Sequence, residues 1–196
     1  MARKRKADHN SAVANALDLF WREGYAASTR EIEEKTGLTR FTLQTAYGGK
    51  EGFFLDTLDA YLDQAEEGHF PDPDTSDLGD LADWFESLTE PGRIPLIEQK
   101  GCLAFNSITD FSRNNAEINK RVQRYLKMFE TRALAILEKA HGTGALAVGL
   151  SPQDAGRILI DLLLGLHATI KAREGDATAQ EHARSIAMLI RSWKLN

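Results

Sequence analysis

Two short amphipathic helices hinged at a single glycine lie between Ser28 and Lys50, and their spacing constrains the rest of the chain. Ser28 or Thr29 is placed to cap the first helix, because a hydroxyl accepts from the backbone N–H groups that a helix start leaves free. Glu31 or Glu33 suits the positive end of that helix. Gly37 ends it, since glycine enters the left-handed region without a Cβ penalty. Thr39 caps a second helix running to about Tyr47, Gly48-Gly49 stop it, and Lys50 opens the next. Ile32, Leu38, Leu43 and Tyr47 fall on the inner side, leaving Arg40, Thr42, Gln44 and Thr45 outside. Helix, glycine turn and a second helix with a polar outer face make a helix-turn-helix pattern. The pattern alone also fits a plain helical hairpin in an all-α core.

The run Thr36-Gly37-Leu38-Thr39-Arg40-x-Thr42-Leu43-x-x-x-Tyr47-Gly48-x-Lys50-Glu51 resembles the tetracycline-repressor (TetR) family of bacterial regulators. In that family a helix ending in Gly-Tyr or Gly-Phe precedes the motif, as Phe20 to Tyr25 does here. Gly101-Cys102-Leu103-Ala104-Phe105-Asn106 is similar to a run found in one branch of the family. The main match covers roughly residues 10 to 60. Two departures stand out: Gln44 replaces the tyrosine usual after the leucine, and the segment between Tyr25 and Ile32 is one residue short. The resemblance implies an all-α homodimer that binds double-stranded DNA at an inverted-repeat operator. It also implies a repressor whose body holds a small-molecule effector, and no cofactor; the rival readings are an effector-free dimeric DNA-binding protein and a helical ligand carrier or enzyme that has lost DNA binding.

Net charge is −5, which alone argues against a nucleic-acid partner, but its distribution reverses the argument. Residues 1–50 carry nine Lys/Arg against six Asp/Glu, a balance of +3, while residues 51–100 carry two against fourteen, a balance of −12. The basic excess sits with the motif, where attraction to phosphates is needed. The acidic block is repelled by DNA and should face away from it. Arg3, Lys4, Arg5 and Lys6 read as an arm along the groove or as a solubilising tail. With Cys102 alone, no intramolecular disulfide or cysteine-based zinc site is possible, and a reducing cytoplasm fits. The basic start lacks the apolar stretch of a signal peptide, and the longest apolar run, Ile158 to Ile170, is too short to span a bilayer.

Along the chain, Val13, Ala16, Leu17, Phe20 and Trp21 give the period of an amphipathic helix from Asn10 to Glu23. A fourth helix from Lys50 to about Glu66 completes a head of three to four helices at 1–66. The proline- and aspartate-rich break from Gly68 to Asp77 separates it from a larger helical body for ligand binding and dimerisation at 67–196. There the expected helices are Leu78 to Leu88, Gly101 to Phe111, Asn115 to His141, Ser151 to Arg173 and Ala177 to Trp193, with Glu90 to Pro95 a loop. Gly142-Thr143-Gly144-Ala145-Leu146-Ala147 mimics a dinucleotide fingerprint but follows a helix rather than a strand, so it reads as a loop.

No nucleophile elbow, zinc helix or phosphate loop is present, so no catalytic or metal-binding residue is assigned and the chain does not read as an enzyme. For DNA, Arg40 suits guanine or a phosphate, Gln44 adenine, and Thr42 and Thr45 a thymine methyl or a phosphate. Thr29, Thr39 and Tyr47 complete the set, and Lys50 with its helix start suits a phosphate. Phe41 packs either on a thymine methyl or back against the preceding helix. In the body, Trp84, Phe85, Leu88, Phe105, Met128, Phe129 and Leu163 line a cavity or fill a core. Asn106, Thr109 and His167 interrupt apolar segments as the polar groups of a ligand pocket do. Cys102, counted with the ligand set, reads as a small buried hydrophobe or a redox or electrophile sensor. Ile158, Leu162, Leu166, Ile186, Ile190 and Trp193 on the last two helices suggest a four-helix dimer face.

Overall fold

The computed structural model describes residues 2–92, 97, 100–111, 115–173 and 177–195, with side chains from His9 onward. Among these the regular elements are α-helical: α1 Ala2–Glu23, α2 Thr29–Thr36, α3 Arg40–Tyr47, α4 Lys50–Gly68, α5 Leu78–Ser87, α6 Leu103–Asp110, α7 Ala116–Gly142, α8 Pro152–Ala172 and α9 Thr178–Ser192. A 3-10 turn, Gly24–Ala26, follows α1. Extended pairing among the described residues is one antiparallel bridge between Leu146 and Lys194. α1 begins eight residues before the expected start, because the apolar period that marks a helix is absent from its basic first turns. The side chains of Arg3, Lys4, Arg5 and Lys6 lie outside the described residues, as does the Arg93–Pro95 part of the expected loop.

Local chemistry explains the ends of the motif helices. Ser28 caps α2 through a reciprocal box: its hydroxyl accepts from the Glu31 N–H at 3.2 Å and its N–H donates to the Glu31 carboxylate at 2.6 Å. These bonds hold the Glu31 carboxyl below the usual range, the Ser28 side chain contributing most. Gly37 closes α2 at φ 72°. Thr39 caps α3 by accepting from the Thr42 N–H at 3.2 Å. Gly48 and Gly49, at φ 72° and 98°, then let the Gly49 N–H reach the Leu43 carbonyl at 2.9 Å.

The chain divides into two compact units. The first comprises Met1–Glu67 and Leu103–Gln123, so the segment carrying α6 and the start of α7, expected with the body, packs with the head. The reason is aromatic. Phe54 lies at the centre of the head with its ring 4.9 Å from Phe20, 5.4 Å from Tyr25 and 5.3 Å from Phe111. Phe111, just past α6, is also 4.2 Å from Tyr25. Polar bonds fix the same segment: the Tyr25 N–H donates to the Asp110 carboxylate at 2.9 Å, and Asn115 Nδ2 to Glu51 at 2.7 Å. Arg121 forks onto Asp59 at 2.9 and 2.6 Å.

The second unit comprises Gly68–Cys102 and Arg124–Asn196. Here α9 packs along α5 and against α8. The loop after α7 is fastened to the chain's end, with the Ala147 N–H on the Trp193 carbonyl at 2.8 Å and the Leu195 N–H on Ala145 at 2.9 Å. The glycine-rich run is therefore a turn and cap, not a nucleotide loop.

The turn between α3 and α4 sets a hard steric limit, since a Cβ on Gly52 would stand 1.7 Å from the Tyr47 carbonyl oxygen. Gly68, at the far end of the same helix, has nothing within 4 Å of that position. Gly52→Ala should lower stability by about 3 kcal/mol, at the upper end of overpacking penalties. Gly68→Ala should leave it unchanged or raise it by about 0.5 kcal/mol. Urea unfolding of both variants checks the contrast, and equal midpoints would contradict it.

Candidate nucleic-acid interface

α3 buries a single side chain, Leu43, at 2% exposure. Arg40, Phe41, Gln44, Thr45 and the small Ala46 are exposed, while Thr42 and Tyr47 are half-buried. Because the buried position anchors α3 against the head, the residues on its other arcs form an outward row about two turns long. Phe41 is 76% exposed and so does not fold back onto α2.

Hydrogen bonds inside the motif restrict what each group offers. The Thr39 and Thr42 hydroxyls are 3.0 Å apart, and the Thr45 hydroxyl donates to the Phe41 carbonyl at 2.9 Å. Glu33 of α2 accepts from the Arg40 N–H, tying the start of α3 to the preceding helix. Thr29 is a half-buried residue of the first turn of α2. Two residues expected to face DNA are engaged within the head. The Tyr47 hydroxyl meets His9 Nδ1 of α1 at 3.2 Å, with the two rings stacked at 5.5 Å and 12°. Burial, and then the Asp56 carboxylate, raise the Tyr47 phenol above its ordinary range. The Lys50 ammonium sits 4.3 Å from the Tyr25 ring centroid, an attraction of cation to ring face. Burial lowers its pKa and the Glu31 carboxylate opposes that shift.

Glu33 was expected only at the start of α2, and His9 and Asp110 were not expected at all. The Tyr25–Asp110 bond links residues 85 apart, and no local period signals such a pair. For His9 a signal existed, because extending α1 to residue 2 places it on the helix.

The residues expected to line an effector site fall into both units. Phe105 and Asn106 belong to the first, as does Thr109, which is exposed, with its hydroxyl donating to the Asn106 carbonyl at 2.7 Å. In the second unit, Trp84 and Phe129 stack at 5.2 Å, Phe85 stands edge-on to both, and Leu88, Cys102 and Leu163 are buried. Met128 is only half-buried. Trp84 also borders a groove of about 360 Å³ with His69, Phe70 and Thr75. His167 is fully buried with Nε2 3.3 Å from the Tyr125 hydroxyl, and burial pushes its imidazole down to about 3.

Of the residues expected at a dimer face, Leu166, Ile186, Ile190 and Trp193 are buried in the chain's own body and leave little surface for a partner. Leu162 is half-buried, and the large apolar side chains left outside are Ile158 on α8 and Met188 and Leu189 on α9. Both arcs of α9 carry apolar residues, so the sequence period alone does not say which arc faces the core. Among the described residues no group of three His, Cys, Asp or Glu can hold a metal, and no helix is long and apolar enough to cross a membrane.

A capped helix-turn-helix on an all-helical scaffold defines a helix-turn-helix transcriptional regulator. A family model described as the tetracyclin repressor-like C-terminal domain matches residues 80–187, and the chain belongs to the TetR family of transcriptional regulators. The chain is 26% identical to the HTH-type transcriptional repressor ComR of Escherichia coli over 97% of its own length and 91% of that protein's. A TetR-family regulator from Cytophaga hutchinsonii superposes with a TM-score of 0.79 at 14% identity, covering 96% of this chain and 95% of that one. A Saccharomonospora viridis regulator solved in complex with choline gives 0.78 at 14% identity, over 97% and 99%.

The depressed His167 has a stability consequence with a definite sign. The unfolded imidazole takes up a proton near pH 6.5 and the folded one only near 3, so the unfolded state binds more protons between those values. Stability should therefore fall as pH drops from 6.5 towards 3 and show no His167 effect above 6.5. Thermal unfolding of wild type and His167→Gln from pH 7.5 to 4 checks this: the variant, weaker at neutral pH, should lose less on acidification. Parallel pH profiles would contradict it.

Proposed function

We propose that the chain is a homodimeric repressor that binds an inverted-repeat operator through α3 and releases it when a small molecule enters the body. The observation that carries the reading is the outer row of α3, where Arg40, Gln44 and Thr45 stand exposed on a helix whose one buried residue is Leu43. A row of this kind at the start of a recognition helix suits base edges in the major groove. The repressor activity of ComR, a relative along almost the whole chain, supports the sign of regulation. The choline complex of the Saccharomonospora viridis protein supports a body that accepts a small molecule. A DNA partner supports a location in the bacterial cytoplasm.

A two-fold operator requires a two-fold protein. Ile158 and Leu162 on α8, with Met188 and Leu189 on α9, supply the apolar face for it. Ile158→Glu and Leu189→Glu place a carboxylate on that face at partly exposed positions. Each should yield a folded monomer by sedimentation and lose operator binding, because an unpaired charge buried at an interface is strongly unfavourable. Two variants that both remain dimeric would put the interface elsewhere.

Effector and operator act against each other in this reading through Leu103–Gln123. That segment continues into the body along the chain while Asp110, Phe111 and Asn115 hold Tyr25, Phe54 and Glu51 of the head. Linkage requires that the effector weaken operator binding by the same factor as the operator weakens effector binding, typically about 5–150-fold. Small molecules that raise the melting temperature supply the ligand, and titrations of each ligand with and without the other give the two factors. Asp110→Ala should shrink both factors together. A ligand that occupies the body and leaves operator affinity unchanged would leave an effector-free repressor.

A further inference from the structure

We propose that Phe41 reads the 5-methyl group of one thymine in each operator half-site. The inference rests on the operator-binding reading and names what sets its specificity. Three features of α3 lead to it. Phe41 is the second residue of the helix and is 76% exposed, flanked by exposed Arg40 and Gln44. Single exposed apolar side chains are common on protein surfaces, but this one stands in the first turn of a recognition helix, the part that meets base edges.

The helix start itself keeps two of its N–H groups from a phosphate. Its N–H groups at Arg40 and Thr42 are taken by the Glu33 carboxylate and the Thr39 hydroxyl. A carboxylate there also repels the DNA backbone, whereas a methyl group carries no charge to be repelled. Thr45 lies one helical turn on and shares the face of Phe41. Its hydroxyl donates to the Phe41 carbonyl, 2.9 Å away, so it is held to the helix backbone. The pair presents an apolar ring beside a threonine, flanked by a guanidinium and a carboxamide suited to guanine and adenine edges. In the major groove the apolar group on a base edge is the thymine methyl, and Phe is among the side chains that contact it.

The test uses full-length protein and an operator selected from randomised duplex DNA. Each thymine is replaced in turn by deoxyuridine, which removes the methyl and leaves base pairing intact. Affinities are measured for wild type and Phe41→Ala; the variant removes an exposed ring and opens no core cavity, which circular dichroism confirms. One symmetric pair of replacements should weaken wild type by about fourfold per half-site, or about fifteenfold for both, the value of one buried methyl group. Phe41→Ala should bind the thymine operator more weakly and no longer distinguish thymine from deoxyuridine at that position. Wild type indifferent to every replacement, or equal loss in both proteins, overturns the inference while leaving operator binding intact. If neither protein prefers the selected duplex to a scrambled one, the operator reading itself fails and this inference with it.

Discussion

The buried ring of Phe54 is the contact on which the head depends. Three other rings converge on it, from α1, from the turn before α2 and from the segment after α6. A buried phenyl ring typically contributes about 1.5–3 kcal/mol by transfer alone. Edge-to-face pairs add about 0.5–1.5 kcal/mol each. That cluster fixes the two ends between which the motif is strung: Tyr25 before α2 and Phe53-Phe54 after α3. Phe53 meets Tyr47 at 4.6 Å, so the last residue of α3 is packed against the same helix that holds the cluster. The outward row of α3 is thus held at both ends, by Glu33 at Arg40 and by Phe53 at Tyr47.

The same cluster joins parts of the head that are far apart in sequence. Phe111 and Asp110 are far from the motif in sequence yet touch the turn that leads into it. A Cβ on Gly24 would meet the Asp110 carboxylate at 2.3 Å, so a side chain at this turn would push that carboxylate aside. Charge supports the arrangement from outside. Asp59 is held by Arg121, and the groove beside it on α1 and α4 is lined with Asp56, Asp63 and Glu67, a surface that DNA avoids.

Much of the head was legible because its signals are local. Caps and glycine stops lie within a few residues of what they terminate, and the box at Ser28 and Glu31 and the left-handed Gly37 and Gly48 stand where spacing put them. The body was legible as helices but not as faces. Ile186 and Ile190 share α9 with Met188 and Leu189, and only the packing of α9 on α5 and α8 decides which pair is core. Thr109 looked like a polar group in an apolar pocket, yet α6 ends there and turns it outward. The reassignment of Leu103–Gln123 to the head depends on Phe111, Asp110 and Arg121 meeting partners more than fifty residues away, and periodicity carries no trace of such pairs.

Hydrogen exchange on the protein with and without its operator duplex tests the central claim most directly, because it locates the DNA on the chain without altering a residue. The account predicts slowed exchange across Ser28 to Lys50, concentrated in α3, and none along the acidic stretch of α4 from Asp59 to Glu67. Protection confined to the body, or strongest along that acidic stretch, would contradict it.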